Sequence, residues 1–153
     1  MSEARTILFV DDEEKILKSL QRGLLDDPYN CLFATSGKEA LEILEKNEVH
    51  VICTDMRMPE MNGLELLRIV KDKYPLIVRV VLSGYTMVGM LLTAINQGEI
   101  FKFITKPWRL EEDFKSVLQQ AVDQYNLCHE HDALAAEVER LKNTMEKMAV
   151  TAE

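Results

Sequence analysis

Four short polar segments of the sequence carry side chains that could act together chemically. Each directly follows an apolar run; they are Asp11-Asp12-Glu13, Thr54-Asp55, Ser83-Gly84 and Thr105-Lys106-Pro107. Two carboxylates ~4 Å apart repel by roughly 4 kcal/mol at an effective dielectric constant of about 20. Gathering Asp11, Asp12 and Asp55 at one place therefore makes sense only with a bound cation or shared protons.

A hard divalent cation with oxygen ligands suits such a cluster, and Mg²⁺ commonly bridges one or two carboxylates to a phosphate. An aspartate nucleophile such as Asp55, beside a metal and the fixed charge of Lys106, could form an acyl phosphate, because both cations neutralise the transferring oxygens. Ser83 could then donate a hydrogen bond to a phosphate oxygen. The alternative is structural, with the acidic pairs serving as helix N-caps and Lys-Pro forming only a loop. The ordered combination favours the chemical interpretation.

Five apolar runs of strand length alternate with helical patterns. The runs cover residues 6–10, 31–34, 49–53, 78–82 and 100–104, and helical spacing appears in residues 16–24, 40–44, 64–70 and 87–95. Continuous apolar strands are typical of parallel sheets covered on both faces. We therefore predict an α/β fold with a five-stranded parallel, doubly wound, flavodoxin-like sheet. In such sheets ligands bind beyond the carboxyl ends of the strands, where the four polar segments stand.

Composition narrows the function classes. The formal net charge of −8 and the lack of a Lys/Arg cluster argue against direct nucleic-acid binding. The thiols Cys31, Cys53 and Cys128 lack the paired spacing of a zinc site, which favours a structural role. With no apolar leader and no run of ~18 apolar residues, we expect a soluble, cytoplasmic protein without membrane association.

From Leu110 the chain lacks Gly and Pro, which predicts one extended C-terminal helix. Its first part carries an apolar stripe that could cover the sheet, ending at Tyr125. A second stripe follows, spaced alternately by four and three residues, which we term the seam; it comprises Leu127, His131, Leu134, Val138, Leu141, Met145 and Met148. Leu at d with Val138 at a favours a parallel two-stranded coiled coil. The alternative is a single amphipathic helix that packs back on its own domain.

The sequence resembles the receiver domains of bacterial two-component response regulators, over roughly residues 5–124. The resemblance is carried by four stretches: residues 7–13 (ILFVDDE), 55–63 (DMRMPEMNG), 82–84 (LSG) and 103–107 (FITKP). It implies a receiver domain over residues 1–124, with residues 125–153 as a helical extension. That extension, which carries the stripe expected to form a dimeric coiled coil, would lead to an output domain of a larger regulator; the alternative is a stand-alone receiver with a dimerising tail.

The resemblance also implies a role for each site residue. Asp55 would be the phosphoacceptor for a histidine kinase or phosphotransfer protein. Mg²⁺ would be held by Asp11, Asp12, Asp55 and the backbone carbonyl of Arg57. The chain would then be a signalling switch with at most slow self-dephosphorylation, rather than an enzyme.

Further residues match the family's switching apparatus. Lys106 would pair with the phosphoryl group, Ser83 would be the switch hydroxyl, and Phe103 the switch aromatic, where many members have Tyr. Phe101 is expected on the same strand face as Phe103. The conformational change on phosphorylation would alter the surface of helix four, strand five and helix five. Trp108 would either couple the phosphate site to the long helix or simply pack as an aromatic on its loop.

The segment Lys106-Pro107-Trp108 resembles receivers attached to cyclic-dinucleotide enzymes or to hydrogenase-type transcription regulators. Asn62 replaces the Asp usually found before Gly63, and Arg57 and Tyr85 are expected to tune hydrolysis. Two other functions stay open: a phosphatase of the haloacid dehalogenase type, and a degenerate receiver serving only dimerisation. The phosphatase would need two aspartates two apart after one strand, and the degenerate receiver would lack the site residues.

Overall fold

The computed structural model describes residues 4–84 and 88–151, and side chains as far as residue 149. Five strands alternate with five helices: β1 Arg5–Val10, α1 Glu14–Gly23, β2 Tyr29–Ala34, α2 Gly37–Lys46, β3 Val51–Asp55, α3 Gly63–Lys73, β4 Val78–Ser83, α4 Val88–Asn96, β5 Lys102–Thr105 and α5 Lys115–Thr151. A π-helical turn, Leu110–Phe114, precedes α5. Tyr85 and Met87, which the sequence associates with the site and with the fourth helix, lie outside the described residues.

The five strands form one parallel sheet, as the sequence predicts, and their order in it is β2-β1-β3-β4-β5. The chain runs outward from β1 to β2, then crosses back to β3 and continues in the opposite direction. The strand order therefore reverses between β1 and β3. Ligand sites of open parallel sheets lie at this point, beyond the carboxyl ends of the strands.

Two strands begin later than their apolar runs. Pairing of β3 with β1 starts at Val51, although Val49 and His50 are also buried. Likewise β5 starts at Lys102, although Ile100 is buried. An apolar run reports burial rather than strand pairing, so it extends past the ladder wherever a buried turn precedes a strand.

Hydrophobic side chains cover both faces of the sheet. In β1, Leu8 and Val10 pack towards α2, α3 and α4, whereas Ile7 and Phe9 pack towards α1 and α5. All four are fully buried. Burial on both faces is what makes the strand sequences read as continuous apolar runs.

The C-terminal helix has two different halves. In the first, Leu118 and Ala121 are fully buried against the sheet, as the first stripe predicts. In the second, the apolar residues of the predicted seam are exposed, with Leu134 at 66% and Val138 at 50%. The alternative in which this helix packs back on its own domain is therefore wrong. Across the described part of the chain, every helix is too short or too polar to cross a bilayer.

Candidate metal centre at the carboxyl edge of the sheet

Three carboxylates meet at the point where the strand order reverses. Asp11 and Asp12 follow β1, and Asp55 is the last residue of β3. One oxygen from each lies within 4.8 Å of the others, with Asp11 and Asp55 buried and Asp12 exposed. The parallel register of neighbouring strands brings these groups together, as the sequence predicts.

Only one of the two carboxylate oxygens of Asp11 is hydrogen-bonded within the described residues. Its Oδ1 accepts a hydrogen bond from the Glu13 N–H at 2.9 Å. Its Oδ2 is buried, and within residues 4–84 and 88–151 no donor hydrogen-bonds to it. Burial raises the pKa of Asp11; the Glu13 N–H opposes this, and the charge of Asp55 adds to it. An unsatisfied carboxylate oxygen facing two other carboxylates is the donor set that a hard divalent ion prefers, so these residues fit Mg²⁺.

Lys106 supplies the positive charge at this site. Its Nζ donates a hydrogen bond to Asp55 Oδ1 at 3.0 Å and lies 3.5 Å from Asp11 Oδ2. Burial lowers the pKa of Lys106, but the hydrogen bond and charge of Asp55, with the charge of Asp11, outweigh burial and raise it. The amine is therefore an ammonium at neutral pH. The Lys106 backbone is tied to the end of β4, because its N–H donates to the Ser83 carbonyl at 2.8 Å.

A cavity of about 300 Å³ opens over these groups, and Asp12, Asp55, Ser83 and Lys106 line it. Ser83 is buried, and its hydroxyl donates to the Gly84 carbonyl at 3.1 Å. The hydroxyl is therefore at the cavity but engaged with its own loop. Arg57 also lines the cavity and is exposed.

The loop after β3 passes very close to the acidic cluster. A Cβ at Gly63 would lie 2.3 Å from the Asp55 carbonyl oxygen, so only glycine fits this approach. The Gly63 N–H donates to the Met56 carbonyl at 2.9 Å, and Asn62 caps α3 by accepting from the Glu65 N–H at 2.9 Å. Gly63 had no predicted role of its own; the pair Asn62-Gly63 before an amphipathic run could have identified the cap.

The two candidate aromatics of β5 lie on opposite faces of the sheet. Phe103 is partly buried and packs with the α2–α4 side, whereas Phe101 packs with the α1–α5 side. The expectation that they share one face is wrong, because Phe101 precedes the strand, where its N–H donates to the Arg79 carbonyl at 2.7 Å. Strand alternation does not apply to a residue outside the ladder.

Trp108 joins the loop after β5 to the core. Its ring lies 4.9 Å from that of Phe114, which in turn stacks on Phe9 at 6.1 Å. Phe114 is fully buried and closes the π-helical turn, where the Arg109 carbonyl accepts from both Asp113 and Phe114. The sequence predicts a regular helix here; the wider turn accompanies this aromatic contact.

Comparison with known proteins agrees with this fold. The family model for response regulator receiver domains matches residues 7–119. The chain is 37% identical over 122 residues to the hydrogenase transcriptional regulatory protein HoxA of Cupriavidus necator, covering 80% of this chain and 25% of that protein. It is 32% identical over 148 residues to HoxA of Bradyrhizobium diazoefficiens, covering 97% and 30%. The chain thus spans well under half the length of these relatives.

Solved structures resemble this chain at similar levels of sequence identity. The signal receiver domain of an HD domain-containing protein from Pseudomonas fluorescens Pf-5 superposes with a TM-score of 0.78 at 33% identity, covering 85% of this chain and 95% of that one. A structure described as adenylate cyclase from Rhodopirellula baltica gives a TM-score of 0.82 at 32% identity, covering 86% and 96%.

Proposed function

The chain belongs to the response regulator receiver domain family, and on that premise we propose that Asp55 accepts a phosphoryl group from a histidine kinase or phosphotransfer protein. Receiver domains are phosphorylation-dependent signalling switches rather than typical enzymes. The observation that carries the proposal is the Lys106–Asp55 hydrogen bond of 3.0 Å beside two further carboxylates. Neither the phosphatase nor the dimerisation-only alternative is supported, since the family matches and the whole residue set is present.

Transfer would proceed by attack of an Asp55 carboxylate oxygen on phosphorus. The new P–O bond replaces the P–N bond of the donor histidine, which leaves as imidazole. Mg²⁺, held by Asp11, Asp12, Asp55 and the Arg57 carbonyl, would neutralise charge on the transferring phosphoryl oxygens. Lys106 already binds Asp55 Oδ1, so it orients the nucleophile and lies ready to pair with the product.

The switch would start at Ser83. Its hydroxyl exchanges the Gly84 carbonyl for a phosphoryl oxygen, which is a stronger, charged acceptor. The space it leaves lets the half-buried Phe103 ring turn inward, altering the surface of α4, β5 and α5. Couplings of this kind are worth about 1–3 kcal/mol, enough to bias an interface without remodelling the fold.

The test is labelling of the full chain by acetyl phosphate, followed by intact-mass and peptide mass spectrometry. We expect one Mg²⁺-dependent phosphoryl group on Asp55, lost in Asp55→Asn. Asp72→Asn, which removes an exposed carboxylate from α3, should label like the wild type. Labelling of the Asp55→Asn variant at another residue would overturn the assignment.

The helical extension, residues 125–153, would pair two chains as a parallel coiled coil along the exposed seam. In this register Glu137 occupies a g position and Lys142 the following e position, so they would attract across a parallel dimer. An antiparallel pair would instead oppose the g positions, where Glu130 and Glu137 are both acidic. In the single chain Glu137 pairs with Arg140 on its own helix.

The extension would lead to an output domain. The two hydrogenase regulators that the chain resembles are transcriptional regulatory proteins, and the chain matches only 25% and 30% of their lengths. A similar output domain, regulated through the dimer, would suit this chain. A cytoplasmic location fits the three free cysteines, since reducing compartments preserve thiols.

The phosphoryl group would be lost by slow self-hydrolysis, at a rate tuned by Arg57 and Tyr85.

A further inference from the structure

A second, larger cavity lies between α3, α4 and the loop after β3. Its volume is about 660 Å³, and apolar side chains form most of its wall, namely Met56, Met58, Leu64 and Met90. Met56 and Leu64 are buried at its floor, whereas Met90 is 51% exposed at its mouth. Cavities of roughly 300–1,000 Å³ with apolar walls are typical of small-molecule sites.

Among the described residues of this wall, the charged side chains are two arginines, Arg57 and Arg68. This pairing of cations stands out in a chain of net charge −8. Arg68 is 58% exposed, and its Nη2 lies 3.5 Å from Glu99 Oε2, at the long limit of a hydrogen bond, so an incoming anion could compete for this guanidinium. Guanidinium groups bind carboxylates and other oxyanions through paired hydrogen bonds.

The geometry points to a binding site for a small amphiphilic anion, with its apolar body against the methionines and its carboxylate or sulfonate at the two arginines. Flexible, polarisable thioethers fit aromatic or aliphatic bodies of differing shape. Met56 and Arg57 also line the cavity over Asp55, so the two sites share a wall. This site is additional to the phosphoacceptor and does not depend on it.

Fluorescence titration of the full chain with anilinonaphthalene sulfonate, an aromatic body with one anionic group, tests the proposal. We expect saturable one-to-one binding that Met90→Glu weakens by about tenfold or more, since the new carboxylate would repel the sulfonate and compete with it for the two arginines. Leu92→Glu is the matched control, because Leu92 lies on the same helix at 50% exposure but outside the wall. It should leave the affinity unchanged.

The anionic group is tested separately. Arg68→Gln should weaken the sulfonate several-fold but leave neutral phenylnaphthylamine unaffected, and Arg22→Gln, which removes an exposed charge from α1, should affect neither. Circular dichroism and urea unfolding check that each variant folds.

Three outcomes overturn the proposal. Met90→Glu and Leu92→Glu could weaken binding equally, which would place the probe on the exposed face of α4. Leu134→Glu, in the seam, could abolish the signal while Met90→Glu does not. Met90→Glu could also lower the oligomeric mass, which would make the cavity a contact between copies of this chain.

Discussion

Lys106 Nζ lies 3.0 Å from Asp55 Oδ1, so the ammonium after β5 is hydrogen-bonded to the carboxylate that ends β3. Because β4 lies between these strands, the contact depends on the register of three strands at once. The same ammonium faces Asp11 Oδ2 at 3.5 Å. One cation therefore offsets two buried carboxylates, which explains why this acidic edge is tolerated in the folded chain.

Replacing this cation should destabilise the metal-free protein. Lys106→Met keeps the side-chain length but leaves Asp11 and Asp55 facing each other without compensation. We expect a free energy of unfolding lower by about 1–3 kcal/mol at neutral pH in urea denaturation with EDTA, because buried charges are left unpaired. Mg²⁺ should narrow the difference. Lys38→Met, at an exposed position on α2, serves as the control; equal losses in both variants would contradict this role.

Asp11 should make stability depend on pH in the direction opposite to an ordinary ion-paired carboxylate. Its pKa is raised above the usual 3.8, chiefly by burial, so the folded state binds more protons than the unfolded state. Stability from this group is thus full below the unfolded pKa and falls as pH rises towards the folded pKa.

Asp11→Asn removes that penalty. In EDTA we expect the variant to gain on the order of 1 kcal/mol over the wild type between about pH 4 and about pH 7, measured by urea unfolding. With Mg²⁺ the wild type should be stabilised and the variant much less, because a ligand is missing. A difference between the two proteins that is the same at both pH values in EDTA would refute the linkage.

Gly63 should be intolerant of even one methyl group. Gly63→Ala would bring a Cβ to 2.3 Å from the Asp55 carbonyl, so the loop must shift at a cost of about 1–3 kcal/mol, and acetyl phosphate labelling should slow. Gly89→Ala, on α4 with open space around it, should instead stabilise the protein by about 0.5–1 kcal/mol. If urea unfolding shows both substitutions to be neutral, the close approach is not as described.

The sheet and its acidic edge were predictable from the sequence because both follow from local patterns. Doubly buried parallel strands appear as apolar runs, and in an open sheet the residue after each run must lie at the same edge. That is why Asp12, Asp55, Ser83 and Lys106 line one cavity as expected.

What the sequence did not indicate depends on contacts between distant residues or on the position of a ladder's end. The face of Phe101 follows from where pairing with β4 begins, which apolar character cannot report. The close approach of Gly63 to Asp55, and the π-helical turn that brings Phe114 against Trp108, are likewise tertiary effects. Local propensity contains no information on them.

Trp108 is the single tryptophan of the chain, which makes its fluorescence a direct report on the loop after β5. If Trp108 links Asp55 to α5 through Phe114, beryllofluoride with Mg²⁺ should change the Trp108 emission in the wild type. Asp55→Asn should abolish the response. An unchanged wild-type spectrum, with binding verified by increased stability, would leave Trp108 as an aromatic packed on its loop.

The exposed seam of α5 should hold two chains together. Leu134→Glu puts a charge at a central d position, so light scattering after size exclusion should show a monomer. Leu25→Glu, at a 73% exposed leucine outside the seam, should leave the dimer intact. A wild-type protein that is monomeric at high concentration would rule this interface out.

The orientation of the helices can be tested by charge exchange. In a parallel dimer Lys142→Glu sets like charges against Glu137 of the partner chain at both symmetric positions and should weaken the dimer. Exposed pairs are worth about 0.2–1 kcal/mol each, so a loss of several-fold in dimerisation affinity is expected. Combining Lys142→Glu with Glu137→Lys restores opposite charges and should recover the dimer. In an antiparallel dimer these positions do not face each other, and the second substitution would bring no recovery of this kind.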